Sequence, residues 1–92
     1  MRTDKNRPAL DNPMTIGLRA LVWTLAAPDR ADRMLALTGL EVEDLRARAG
    51  EPALLAAVLG FLEAYEPDLI ACAEELELKP EVLVAAREAL ER

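Results

Sequence analysis

The chain contains no histidine and a single cysteine, Cys72. Those two facts remove most of the chemistry its side chains could perform. Histidine is the usual general base near neutral pH and the commonest metal ligand. One thiol cannot build a thiolate zinc site within one chain. Carboxylates are left, and Glu74, Glu75 and Glu77 are the most crowded group. Neighbouring residues splay around a helix and do not face one another. Acid–base work by paired carboxylates also needs surroundings that drive their pKa values apart, and nothing near these glutamates predicts that. They read as a solvated face. Cys72 lies beside an apolar stripe, with Ala71, Ala73 and two glutamates as chain neighbours. A reactive thiolate wants positive charge or a helix N-terminus, so a buried, inert thiol is expected. No catalytic, cofactor-binding or metal-binding residue is assigned, no cofactor is implied, and the chain is expected not to be an enzyme.

Binding motifs fare little better. The segment Leu37–Leu40, LTGL, has neither the second glycine nor the lysine of a phosphate loop. It reads as a helix stop, with Gly39 in the left-handed conformation and Leu40 folding back onto Leu35 in a Schellman ending. Residues 71–90, ACAEELELKPEVLVAAREAL, have the spacing of a helix-turn-helix hairpin. Ala73 is small where the two helices meet, Leu78 is apolar in the turn, and Leu83 and Ala86 are apolar in the second helix. Two features oppose DNA recognition there. Glu77 stands where that motif prefers glycine, and the second helix offers Glu81, Glu88 and Glu91 against one Arg87. Base readout and phosphate contact want Arg, Lys, Asn or Gln. The alternative anion or nucleic-acid site is a face of the second and third helices shared by Arg30, Arg33, Arg46 and Arg48.

Charge separates along the chain. The net charge is −6, made of +2 over residues 1–33, −2 over 34–60 and −6 over 61–92. The last third repels a phosphate backbone and attracts basic partners. Its outer face, with Glu74, Glu77, Glu81 and Glu88, is the candidate partner-binding surface.

The elements that hold these residues are announced by proline. Pro13, Pro28, Pro52, Pro67 and Pro80 each precede a run of Leu, Ala, Val and acidic residues at helical spacing. The first turn of a helix has no use for the N–H that proline lacks. The expected helices cover 13–27, 28–38, 42–49, 51–64, 67–76 and 80 to the end. Asn12 is the N-cap of the first. Helices one and four are apolar on most sides and should be central. Val42, Leu45 and Ala49 should face inward from helix three, and Leu69, Ile70, Ala73 and Leu76 from helix five. Trp23 is expected to anchor the core, with an interface hot spot as the alternative. Gly60, inside helix four, costs about 1 kcal/mol relative to alanine and implies a close packing neighbour. Residues 1–11 show no periodicity and read as a mobile tail before a single helical domain, 12–92. The N-terminus has no apolar signal region. The strongly apolar stretch from Pro52 to Leu62 falls well short of the ~20 residues of a membrane span. A lone cysteine fits the reducing cytoplasm.

Three stretches carry a resemblance: RALVWTLAAPDRADRMLALTGL from Arg19, EDLRARAGEPALLAAVLGFL from Glu43, and the acidic Leu/Ala-rich remainder to Leu90. Together they resemble a family of short alphaproteobacterial proteins classed as a domain of unknown function. The resemblance implies an all-helical, cytoplasmic bacterial protein, and it brings no activity, cofactor or catalytic residue.

The expected fold is all-α, a compact bundle of five to six short helices with the C-terminal hairpin packed across helices one and four. The leading expectation for function is a small, non-catalytic protein–protein interaction or regulatory module. Nucleic-acid binding and a homo-oligomeric structural role are the alternatives.

Overall fold

The computed structural model describes residues 12–92, so the expected tail over 1–11 lies outside the described residues. Six helices follow in order: α1 Pro13–Leu25, α2 Pro28–Thr38, α3 Val42–Arg48, α4 Pro52–Glu63, α5 Glu66–Leu76 and α6 Pro80–Glu91. No strand occurs among the described residues.

Each proline sits where its missing N–H costs nothing. Proline opens α1, α2, α4 and α6, and Pro67 is the second residue of α5, which starts one residue earlier than expected. Asn12 caps α1: its Oδ1 accepts from the backbone N–H of Met14 at 2.8 Å and of Thr15 at 3.4 Å. The short α3 gains a cap that the sequence reading missed. Asp44 reaches back to accept the N–H of Glu41 at 2.8 Å, one half of a capping box.

The six helices share one continuous apolar core. Its walls are α1, α4 and α6, with α4 and α6 in the most extensive contact. Leu55, Val58, Leu59 and Leu62 of α4 are completely buried, as is Leu83 of α6. The central place of α1 and α4 is as expected. The C-terminal hairpin of α5 and α6 packs on α1 and α4 as expected, but unequally: α6 is the third wall, while α5 makes the slighter contacts. Two inward assignments fail. Ile70 is 42% exposed and Val42 50%. Ile70 lies about 110° from the middle of the arc formed by Leu69, Cys72, Ala73 and Leu76, at 3.6 residues per turn. Val42 opens a seven-residue helix that has no buried residue at all.

The glycine that packing demands is Gly17, not Gly60. A Cβ built on Gly17 would stand 2.9 Å from Leu55 Cβ, where α1 crosses α4, whereas one on Gly60 would meet only Arg87 Cδ at 3.8 Å. The expected close neighbour of Gly60 is therefore absent within the described fold. Two turns further along α1, Thr24 is fully buried and its hydroxyl donates to Ala20 O at 2.8 Å, so no donor is stranded.

The Schellman ending expected at the end of α2 forms at the end of α5 instead. Gly39 is left-handed, with φ 79°, and its N–H donates to Leu35 O at 3.0 Å. The N–H of Leu40, however, is taken by Thr38 Oγ1 at 3.2 Å, so α2 ends in a simple left-handed cap without the Schellman bond. That bond appears at the end of α5, where Leu78 N–H donates to Ala73 O at 2.9 Å around a left-handed Glu77 with φ 61°. The helix-turn-helix turn thus forms with glutamate in the glycine position. A side chain there costs about 1–2 kcal/mol. Glu77→Gly is expected to stabilise the protein by about 1 kcal/mol, less the flexibility glycine adds to the unfolded chain. Thermal denaturation should show a rise of about 4–8 °C; an unchanged midpoint would mean that the turn carries no strain.

Candidate interaction surface

Helix α1 has one charged residue, Arg19, in thirteen. Ile16, Gly17, Ala20, Leu21 and Thr24 occupy its buried arc. Leu18, Val22 and Leu25 are left on the outside, 38%, 68% and 40% exposed. Their i, i+4, i+7 spacing aligns them in one stripe along the helix. Sequence reasoning took this helix as buried on most sides. The missed signal was arithmetic: three apolar positions at helical spacing on a helix whose inner arc was already full.

The stripe borders a groove of about 670 Å³ between α1 and the end of α5, lined by Leu18, Val22, Trp23 and Leu76 with Arg19, Arg30 and Glu75 as its polar members. Trp23 is half-buried against the core and open to the groove. It is therefore both anchor and surface. Arg30 turns back from α2 onto α1. Its guanidinium lies over the Trp23 ring, 3.4 Å from the centroid, and donates to the Trp23 carbonyl at the end of α1. Stacking and charge both favour this fold-back: the ring face attracts the cation, and a helix C-terminus carries partial negative charge. The Nε of Arg30 is buried without a partner. Arg19 plays the matching part for α5, donating to Leu76 O at 3.2 Å.

Cys72 is completely buried. Burial pushes its thiol up to about 11, against the opposing pull of Arg30 and then Arg19, with Asp68 adding a small push upward. At neutral pH it is a protonated, inaccessible thiol.

The four arginines do not assemble into one site. Arg30 is held on Trp23. Arg33 pairs with Asp68 of α5 at 3.0 Å. Arg48 stays on its own helix end, 3.3 Å from Asp44 and 3.8 Å from Glu51. Arg46 is exposed on α3. Nor does α6 offer a cation in the manner of a recognition helix: Arg87 is tied to Glu63 of α4 and to Glu91. The bond to Glu63 pushes the Arg87 pKa further up, so the guanidinium stays charged.

The acidic residues do remain outward. Glu74, Glu77, Glu81 and Glu88 are exposed, and none forms an ion pair among the described residues. Glu81 and Glu88, seven apart, stand two turns apart on one side of α6. Glu74 and Glu77 flank Glu75 and Leu76, which line the groove. The acidic end of α5 thus borders the apolar groove directly.

Among the described residues, no group of three or more His, Cys, Asp or Glu is placed to hold a metal ion. No helix there is long and apolar enough to cross a membrane. Residues 10–92 match the model of a family described as "Protein of unknown function (DUF3572)". Neither the curated proteins nor the solved structures include a match to the chain.

Proposed function

The chain belongs to the DUF3572 family, and we propose that it is a small, non-catalytic cytoplasmic module that binds another protein through the α1–α5 groove. The observation that carries this reading is the stripe of Leu18, Val22 and Leu25, which the core leaves open along a helix with a single charge. Water contact with that stripe is unfavourable by about 25 cal/mol per Å² of apolar surface. A helix laid into the groove removes that contact and covers Trp23, a residue type enriched at binding hot spots.

The acidic residues at the rim specify the partner's chemistry further. Glu75 lines the α5 side and the exposed Glu74 and Glu77 flank it in the chain, so the fitting partner is an amphipathic helix with basic residues along one edge. These charges act chiefly on encounter rate and on salt dependence, while the apolar stripe supplies most of the affinity. Glu81 and Glu88 lie further along α6 and extend the attraction without entering the groove.

The test uses the tagged full chain as bait in a cell lysate, with and without nuclease, beside a Val22→Asp variant. Val22 is 68% exposed, so the variant should keep the wild-type melting temperature. It should lose about 2 kcal/mol of binding, roughly thirtyfold. A protein captured equally by both baits would remove the groove as the contact. Capture that vanishes with nuclease would replace this reading by nucleic-acid binding.

A further inference from the structure

The opposite problem is posed by α2 and α4, where a glycine has no internal reason to be present. Gly60 lies inside α4 with ordinary backbone angles, and a Cβ on it would meet nothing closer than 3.8 Å. Glycine weakens a helix interior, so its use here needs a neighbour from outside. The surface around it is shaped for one. Two adjoining hollows of about 440 and 500 Å³ share Leu37, Phe61 and Ala64 in their walls. Gly60 and Ala57 line the first, and Tyr65 lines the second. Leu37 projects between them, 71% exposed, the most exposed large apolar side chain among the described residues.

We infer that this face docks a second copy of the same chain, each Leu37 entering the hollow over the other copy's Gly60. A two-fold contact must be self-complementary: if residue i of one copy touches j of the other, then j touches i. This patch carries its own knob and its own hole side by side, which meets that condition. Charge points the same way. Two copies with a net charge of −6 each repel in general. The hollows, however, contain one charged side chain, Arg33, and Asp68 already neutralises it at 3.0 Å. Glu63, the only charge in α4, is bound to Arg87. No carboxylate is among the residues lining the hollows, so two copies whose hollows meet bring none together there. An acidic or basic foreign partner would find no free counter-charge. The contact uses none of the α1 groove residues, so it stands or falls independently of the partner-binding reading.

The experiment is sedimentation velocity of the full chain across a series from micromolar to near-millimolar, with melting temperature measured in parallel. The expected result is a reversible monomer–dimer equilibrium, with a melting temperature that rises with concentration. Leu37→Glu should leave only monomer. Gly60→Ala should weaken the dimer about tenfold, yet raise the melting temperature of the dilute monomer, because alanine is the better helix former. Those opposite signs separate lost docking from lost folding. A chain that stays monomeric throughout the series overturns the inference. So does a dimer that both variants leave intact, or one abolished by Val22→Asp instead.

Discussion

Replacing Gly17 by alanine is expected to cost about 2 kcal/mol of stability, the usual penalty for forcing volume into a packed core. The added carbon would lie 2.9 Å from Leu55 Cβ. That neighbour is the root of its side chain and cannot rotate away. Relief requires α1 and α4 to move apart, and both are walls of the core. Alanine's better helix propensity, about 1 kcal/mol over glycine, works against this loss and does not overcome it. Gly60→Ala is the matched control, since the same chemical change meets only an ordinary contact, Arg87 Cδ at 3.8 Å, and should stabilise the monomer by about 0.5–1 kcal/mol. Urea unfolding of both variants gives the comparison, as shifts in midpoint with an unchanged slope. Equal shifts of the same sign would mean that the α1–α4 crossing is not tight at Gly17.

Leu83→Ala is expected to be more damaging still, at about 3 kcal/mol. Leu83 is 0% exposed on α6. Against a total stability of roughly 5–10 kcal/mol for a domain of this size, that is a large share. The loss combines the transfer energy of the removed carbons with the cavity they leave. Leu59→Ala on α4, equally buried, should cost a similar amount. Ile70→Ala on α5, at a position 42% exposed, should cost well under half as much. The comparison asks whether α6 is a wall of the core or a helix docked on its outside. A Leu83 loss no greater than that at Ile70 would put α6 outside.

The helices were legible because their signals are local. A proline at the first or second position, an Asn cap and an acidic first turn act within a few residues and need no tertiary partner. The left-handed Gly39 was legible on the same ground. The Schellman bond was harder, because either end could host it. Thr38, with a hydroxyl poised to take the Leu40 N–H, diverted it at α2. At α5 the non-glycine Glu77 hosts it.

The site was less legible because exposure is not a local property. Leu18, Val22 and Trp23 are apolar residues of one helix, and only the angle at which α4 and α6 meet α1 decides which are covered. The two internal glycines show the same limit. In the sequence Gly17 and Gly60 look alike, each inside an apolar helix. One is compressed against Leu55, while the other has room for a side-chain carbon at ordinary contact distance from Arg87. The arginines differ similarly: Arg30 folds back on Trp23 while Arg33 crosses to Asp68, choices set by what each helix end brings near.

Composition and short-range pattern therefore determined the helical class, the element boundaries to within two residues, and the acidic surplus of the last third. They do so because capping, helical periodicity and formal charge are properties of a few neighbouring residues. The tertiary structure alone decided that α6 walls the core, that Gly17 is the tight glycine, and that apolar faces of α1 and of α2–α4 remain open. Burial depends on residues far apart in the chain arriving at the same place, and no local pattern encodes which helix face arrives uncovered.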